Sequence, residues 1–308
     1  MNQTLSRLMT IGLLFSLMAC GGSPEQSEAQ ADNAPAPEKS TRSMKLENIG
    51  LASPESVISD GTHYYISNMG KELAPSEKDG DGFIMKLDFE GNVVTEAFIA
   101  GLDAPKGMAI AGGKLYVTDI DKVKIFTLAD GQPAGEIDFS SSGTAFLNDL
   151  AMQNEKTLFL SATDINRIYK ISTADNSFEE IETAPNVQKP NGLWWDELNR
   201  RLLVASFMGS EPNGVVGEIK FEVKGNSYKE LNPFQGALDG LALAGDLVIF
   251  SDWNRQAVLI LNQATGQVGM FPLPSKTING PADFFYDQAR GELWIPGMQE
   301  NTLTVQAI

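Results

Sequence analysis

Glu55, Lys106, Asn148, Asn191, Asp239 and Ala282 share a sequence context. Each follows a Pro or Leu and precedes a small or acidic residue and then an apolar one, as in Pro190-Asn191-Gly192-Leu193 and Leu238-Asp239-Gly240-Leu241. The others read Pro54-Glu55-Ser56-Val57, Pro105-Lys106-Gly107-Met108, Leu147-Asn148-Asp149-Leu150 and Pro281-Ala282-Asp283-Phe284. Four of these second positions, Glu55, Asn148, Asn191 and Asp239, end in an oxygen donor. Two carboxylates and two amides brought to one point suit a hard divalent cation, Ca2+ first, with water completing the shell. Zn2+ is less natural without imidazole or thiolate, although carboxylate zinc ligands occur, and Mn2+ and Mg2+ are further alternatives. Lys106 carries two readings. Its ammonium either contacts an acidic substrate or replaces the cation by pairing with Glu55 or Asp239, a buried ion pair with no chemistry.

The elements that must position these residues follow from their spacing. The second positions are separated by 51, 42, 43, 48 and 43 residues, and an apolar run follows each phrase about ten residues on, as a strand, tight turn and second strand require. A period in the forties with several strands per unit marks a β-propeller blade. Turn pairs such as Glu90-Gly91, Gly112-Gly113, Asp130-Gly131 and Thr265-Gly266 punctuate the runs, and no helical periodicity of helix length follows residue 20. The fold class is all-β, a six-bladed propeller whose inner strands line a common channel. The sixth unit has strand character only at residues 284–286, 293–295 and 303–307. That leaves an unpaired edge, which sheet proteins avoid. Residues 44–49, strand-like and without a blade of their own, are predicted to supply the missing outer strand and close the ring.

The pattern resembles the six-bladed propellers of the senescence-marker-protein (regucalcin), gluconolactonase and luciferin-regenerating-enzyme family. The resemblance spans roughly residue 44 to the end and is sharpest at Asn148-Asp149, Pro190-Asn191-Gly192-Leu193 and Leu238-Asp239-Gly240-Leu241. It implies a channel metal held by Glu55, Asn148, Asn191 and Asp239, and a lactonase-like hydrolase acting on a small molecule. In such an enzyme the metal polarises the carbonyl, and Asp239 both binds the ion and accepts a proton from the attacking water. Two features depart from the family: the order Pro54-Glu55-Ser56-Val57-Ile58 around the first acid, and Lys106 in the second unit. The other class of function open to such a chain is a non-catalytic envelope lipoprotein that binds proteins or ligands on a propeller face.

The amino terminus reads as an export signal. Arg7 precedes a mostly apolar stretch at residues 8–19 that is too short to span a membrane, and the stretch ends in Leu17-Met18-Ala19-Cys20-Gly21. This ending resembles the lipobox of bacterial lipoproteins, which implies cleavage before Cys20 and lipid attachment to it. Residues 1–19 are then a signal peptide, residues 20–43 a lipidated Cys and disordered tether, and residues 44–308 the propeller. Gly21 after the cysteine implies sorting to the outer membrane, facing the periplasm.

Composition narrows the rest. With 23 Lys+Arg against 40 Asp+Glu, the formal charge of −17 disfavours a nucleic-acid partner. One Cys and one His in 308 residues exclude a disulfide within the chain, a thiolate zinc cluster and any site needing two histidines. Asp79-Gly80-Asp81-Gly82 lacks the distal Glu of a calcium loop and reads as a turn. His63 reads as a strand-end residue, and Trp194, Trp195, Trp253 and Trp294 read as packing between blades. Specificity is expected from the connections at residues 69–82 and 207–216.

Overall fold

Each phrase that carries a ring residue is a β-bulge. Pro54 pairs with Asn68 and Val57 with Ile66, so Glu55 and Ser56 together face a single partner residue. The same slip occurs between Pro105 and Met108, Leu147 and Leu150, Pro190 and Leu193, and Leu238 and Leu241. One extra residue bends the inner strand and re-aims a side chain that regular alternation would bury between sheets. The bulge is thus what turns each second position into the channel.

The computed structural model of the chain describes residues 40–207, 213–231, 233–275 and 277–308. They form six sheets, five of four strands and one of five, antiparallel apart from one two-residue edge strand and arranged as a six-bladed β-propeller. The first blade runs through Pro54–Ser59, Tyr64–Asn68, Gly82–Leu87 and Val93–Leu102 in hydrogen-bonded order, and the next blades repeat the meander. The only helix among the described residues is a single 3-10 turn at Ser140–Ser142. Adjacent blades share their cores: Tyr116 and Ile125 of the second pack with Leu150, Leu158 and Tyr169 of the third.

Glycines at three of the third positions are demanded by this packing. A Cβ on Gly192 would stand 2.1 Å from the carbonyl oxygen of Asp239, and one on Gly107 would stand 2.5 Å from Cα of Asp149. The small residue in the phrase therefore admits the next blade's inner strand. A hydroxyl in the second strand of several blades then holds the ring in place. Thr118 Oγ1 donates to the carbonyl of Asn148 at 2.6 Å, Ser161 Oγ to that of Asn191 at 2.8 Å, and Ser251 Oγ to that of Ala282 at 3.0 Å.

The ring closes as the short sixth unit requires. Ser43–Leu46 pairs antiparallel with Thr302–Ala307, Met44 facing Val305, as the outer strand of the last blade. Arg42 clamps this strand: Nη2 meets Glu292 Oε2 at 2.7 Å, Nη1 donates to the Phe89 carbonyl, and the guanidinium lies over Trp294. Tyr64 of the first blade stacks on Trp294 of the sixth at 3.9 Å and donates to Asp287 at 2.6 Å. First and last blades are welded side to side.

Four details differ from the sequence expectation. The fourth blade gains a two-residue fifth strand, Thr183–Ala184, parallel to Asn226–Glu230, because the chain leading to the inner strand runs along that sheet's open edge. The closing strand is Ser43–Leu46 and stops short of residues 47–49, where Asn48 turns the chain with φ 58. Trp253 follows the second strand Leu247–Asp252 and faces the channel mouth. Cys20 and the amino-terminal reading up to residue 39 lie outside the described residues, whereas residues 40–43, read as the end of the tether, join the last blade through Ser40, Arg42 and Ser43.

Candidate functional site

Glu55, Lys106, Asn148, Asn191 and Asp239 all line one cavity of about 140 Å³ at one end of the channel. All five are buried, none more than 6% exposed. Ala282, the sixth member, is fully buried and adds no polar atom.

The polar atoms of this ring are unusual in one respect. Glu55 Oε2, Asn148 Oδ1, Asn191 Oδ1 and Asp239 Oδ1 are buried and have no hydrogen-bond partner. An unpartnered buried polar atom costs about 1–3 kcal/mol, so native folds keep few of them. Here four of six such side-chain atoms among the described residues fall on the four oxygen donors of one ring. The donor set, two carboxylates and two amides, fits a hard divalent cation and offers nothing soft. Among the described residues no three Asp, Glu, His or Cys side chains gather as a metal site, so the amides are what extend this one beyond a carboxylate pair.

Lys106 forms no ion pair with Glu55 or Asp239. Its Nζ donates to the backbone carbonyls of Pro75 at 2.8 Å and Ala104 at 3.1 Å and sits 4.8 Å from the centre of the Phe146 ring. No carboxylate among the described residues lies within ion-pairing distance of it. The ammonium is turned toward the connection after Tyr64–Asn68, which it ties down through Pro75.

Burial dominates the electrostatics of the ring. Burial pushes Glu55 well above the usual carboxylate range, the nearby charge of Asp239 adds to the rise, and Lys106 only partly offsets it. Burial, reinforced by Asp149, pushes Asp239 up to about 7. Burial brings Lys106 down to about 8 against the pull of Glu55. A divalent ion held by these residues would displace protons from the raised acids.

One residue further along the phrases, Asp149 and Asp283 are also buried. Both oxygens of Asp149 are engaged, Oδ1 by the backbone N–H of Leu150 and Oδ2 by that of Leu193, each at 2.6 Å. Asp283 Oδ2 accepts from Ser56 Oγ at 2.5 Å. These acids tie inner strands together across blade boundaries. They sit at the floor of a second cavity of about 240 Å³ walled by Met108, Leu150, Trp194, Leu241 and Phe284.

The remaining sequence candidates fall outside the site. Asp81 Oδ2 accepts the N–H of Lys71, and Gly80 has φ +72, a turn as expected. His63 hydrogen-bonds Thr62 in the tight turn capped by Asp60. The sequence reading missed the cavity wall. Met69, Phe207, Trp253 and Met298 each stand directly after the second strand of a blade, a repeat position that could have been read alongside the ring.

No protein-family model matches the chain, and no curated protein matches it. Solved structures do. Virginiamycin B lyase from Staphylococcus aureus, a catalytically inactive histidine-to-alanine form with quinupristin, superposes with a TM-score of 0.58 at 15% identity over 87% of this chain and 99% of that one. An auxiliary nutrient binding protein from Bacteroides thetaiotaomicron gives 0.65 at 11% identity, covering 83% and 69%. Hydrazine synthase from Kuenenia stuttgartiensis gives 0.57 at 18% identity, covering 82% and 75%. Identities this low speak for the architecture alone: these neighbours share the propeller fold with the chain.

Proposed function

We propose that the protein is a metal-dependent hydrolase of the lactonase type, similar to the senescence-marker-protein and gluconolactonase propellers, acting on a small ester or lactone. The observation that carries this reading is the set of four unpartnered buried oxygens on Glu55, Asn148, Asn191 and Asp239. These residues would hold a divalent cation, Ca2+ by preference. When bound, such an ion polarises an ester carbonyl and makes water more acidic. The chain's own residues then have distinct tasks. Asn148 and Asn191, their backbone carbonyls fixed by Thr118 and Ser161, hold their amide oxygens at the cavity floor. Asp239, buried at the ring, is placed to accept a proton from the attacking water. Lys106 holds the connection carrying Pro75 against the mouth and so excludes bulk water.

The lyase reading offered by the Staphylococcus neighbour is weaker. That protein is catalytically inactive with a histidine replaced, whereas the single histidine here lies in the turn at Asp60. The nutrient-binding neighbour supports a second reading, a non-catalytic propeller that binds a ligand or an envelope protein. In either case Cys20 would carry the lipid that tethers the propeller to the cell envelope, most naturally to the periplasmic side of the outer membrane.

Metal content of the purified protein beside an Asp239→Ala variant, followed by lactone hydrolysis with added Ca2+, Mn2+, Mg2+ or Zn2+, tests the proposal. A divalent ion in the parent, lost in the variant together with hydrolysis, is expected. A metal-free parent that hydrolyses no lactone with any of the four ions refutes it.

A further inference from the structure

The second strands of the blades end at Asn68, Asp119, Ala162, Ser206, Asp252 and Gly297. The next residues, Met69, Ile120, Thr163, Phe207, Trp253 and Met298, form a second set of equivalent positions at the same end of the channel as the polar ring. Five of the six are apolar. The exception, Thr163, donates its hydroxyl to the Pro190 carbonyl at 2.7 Å, so its polarity is already spent. Met69, Ile120 and Met298 pack with Trp253 as one cluster, and Met69, Phe207, Trp253 and Met298 face the cavity. Leu73 and Phe146 complete the wall, and Leu73 is 43% exposed at the mouth. The site therefore has two storeys: oxygen donors on the floor and an apolar collar above them.

We propose that the collar selects the substrate class: an ester or lactone whose body is an alkyl or aryl group, with one oxygen-bearing head reaching the ring. This rests on the hydrolase reading for the reacting group and goes beyond it in naming the rest of the molecule. A polyhydroxylated lactone brings hydroxyls into a wall with few groups to receive them, and each one stripped of water there disfavours binding. An alkyl chain meets the opposite situation, because each methylene leaves water for thioether, aromatic and aliphatic neighbours. Lys106 offers little to an acidic substituent, since two carbonyls and the Phe146 face already surround its ammonium.

The test separates binding from turnover. Non-hydrolysable lactams, one with a hexyl side chain and one polyhydroxylated, are titrated into the full chain with Ca2+ while tryptophan fluorescence is followed. A Trp253→Phe variant identifies the responding ring. The hexyl lactam should bind at least tenfold more tightly than the polyhydroxylated one, with affinity rising about tenfold per added methylene until the cavity is full. Trp253→Gln and Leu73→Ser should each narrow that preference, and Leu73, being partly exposed, can be changed with little risk to folding. Equal or tighter binding of the polyhydroxylated lactam overturns the collar's role and leaves the hydrolase reading standing. Binding of neither lactam overturns it as well. Tight hexyl-lactam binding without hydrolysis of the matching lactone upholds the collar and refutes the hydrolase.

Discussion

Asn148 and Asp149 are neighbours in one bulge and equally buried, yet their side chains live differently. The amide oxygen of Asn148 has no partner, while both carboxylate oxygens of Asp149 are held by backbone N–H groups of two blades. Asp239 and Asp283 repeat the contrast, one with an unpartnered Oδ1 and the other hydrogen-bonded to Ser56. Burial alone does not separate the two kinds of residue, and neither does residue type. Partnership does. The four oxygen donors at the second positions are left unsatisfied, and the acids at the third positions bind the propeller together.

That difference can be broken from either side. The largest effect is expected at Asp239→Asn, which keeps the shape but removes a ligand charge and the proton acceptor. Metal-supported hydrolysis should fall by at least about 1,000-fold, roughly 4 kcal/mol of transition-state stabilisation. The metal-free variant should melt no lower than the parent, because a buried, unpaired carboxylate has been neutralised. A clear loss of metal-free stability would show that Asp239 belongs with the structural acids.

Asp149→Ala probes the other side. It strands the N–H groups of Leu150 and Leu193, and at about 1–3 kcal/mol for each stranded donor the metal-free fold should lose roughly 3 kcal/mol. For a domain of this size that is a drop of about 6–12 °C in melting temperature. Calorimetry showing an unchanged melting temperature alongside lost Ca2+ binding would exchange the two roles.

Much of this contrast was legible in the sequence, and the rest was hidden for identifiable reasons. The phrase period located all five polar ring residues that the fold gathers at one cavity, because a bulge recurring once per blade imposes its own spacing. The closing strand was legible because a propeller cannot leave an edge open, and Ser43–Leu46 does pair with Thr302–Ala307. The orientation of Lys106 was not legible, since its partners are backbone carbonyls and carbonyls leave no mark in a sequence. The cavity-facing place of Trp253 was not legible, because a tryptophan beside a strand looks the same whether it faces a neighbouring blade or a cavity. The structural task of Asp149 was hidden because its Leu193 partner belongs to the next blade.

Acidity offers an intermediate test. In the metal-free protein Asp239 is pushed up to about 7 by burial and by Asp149, whereas an unfolded aspartate titrates near 4. A raised acid means that the folded state holds a proton the unfolded chain has released. Stability present below about pH 4 is therefore lost as pH rises through 7. From pH 5 to pH 8 the loss should be about 2 kcal/mol, read as a falling urea midpoint. Saturating Ca2+ should abolish the slope, because the bound ion replaces the protons. A metal-free midpoint that rises over this interval would mean that the ring acids are already paired.

The smallest effect is expected at Lys106, and its size is the informative part. If the ammonium stood in for the cation, Lys106→Met would create a metal site where none existed, and Ca2+ affinity would appear from nothing. With Nζ on the carbonyls of Pro75 and Ala104, the substitution instead removes a nearby positive charge and a tie on the connection after Tyr64–Asn68. Ca2+ affinity should then change by less than about tenfold, a charge–charge effect of roughly 1 kcal/mol. Amide exchange should quicken at residues 70–80, which the variant no longer anchors through Pro75. Fast exchange there with near-parental Ca2+ binding places Lys106 with the residues that hold the cavity shut. Slow exchange with a large gain in Ca2+ affinity returns it to the ring as the missing ion.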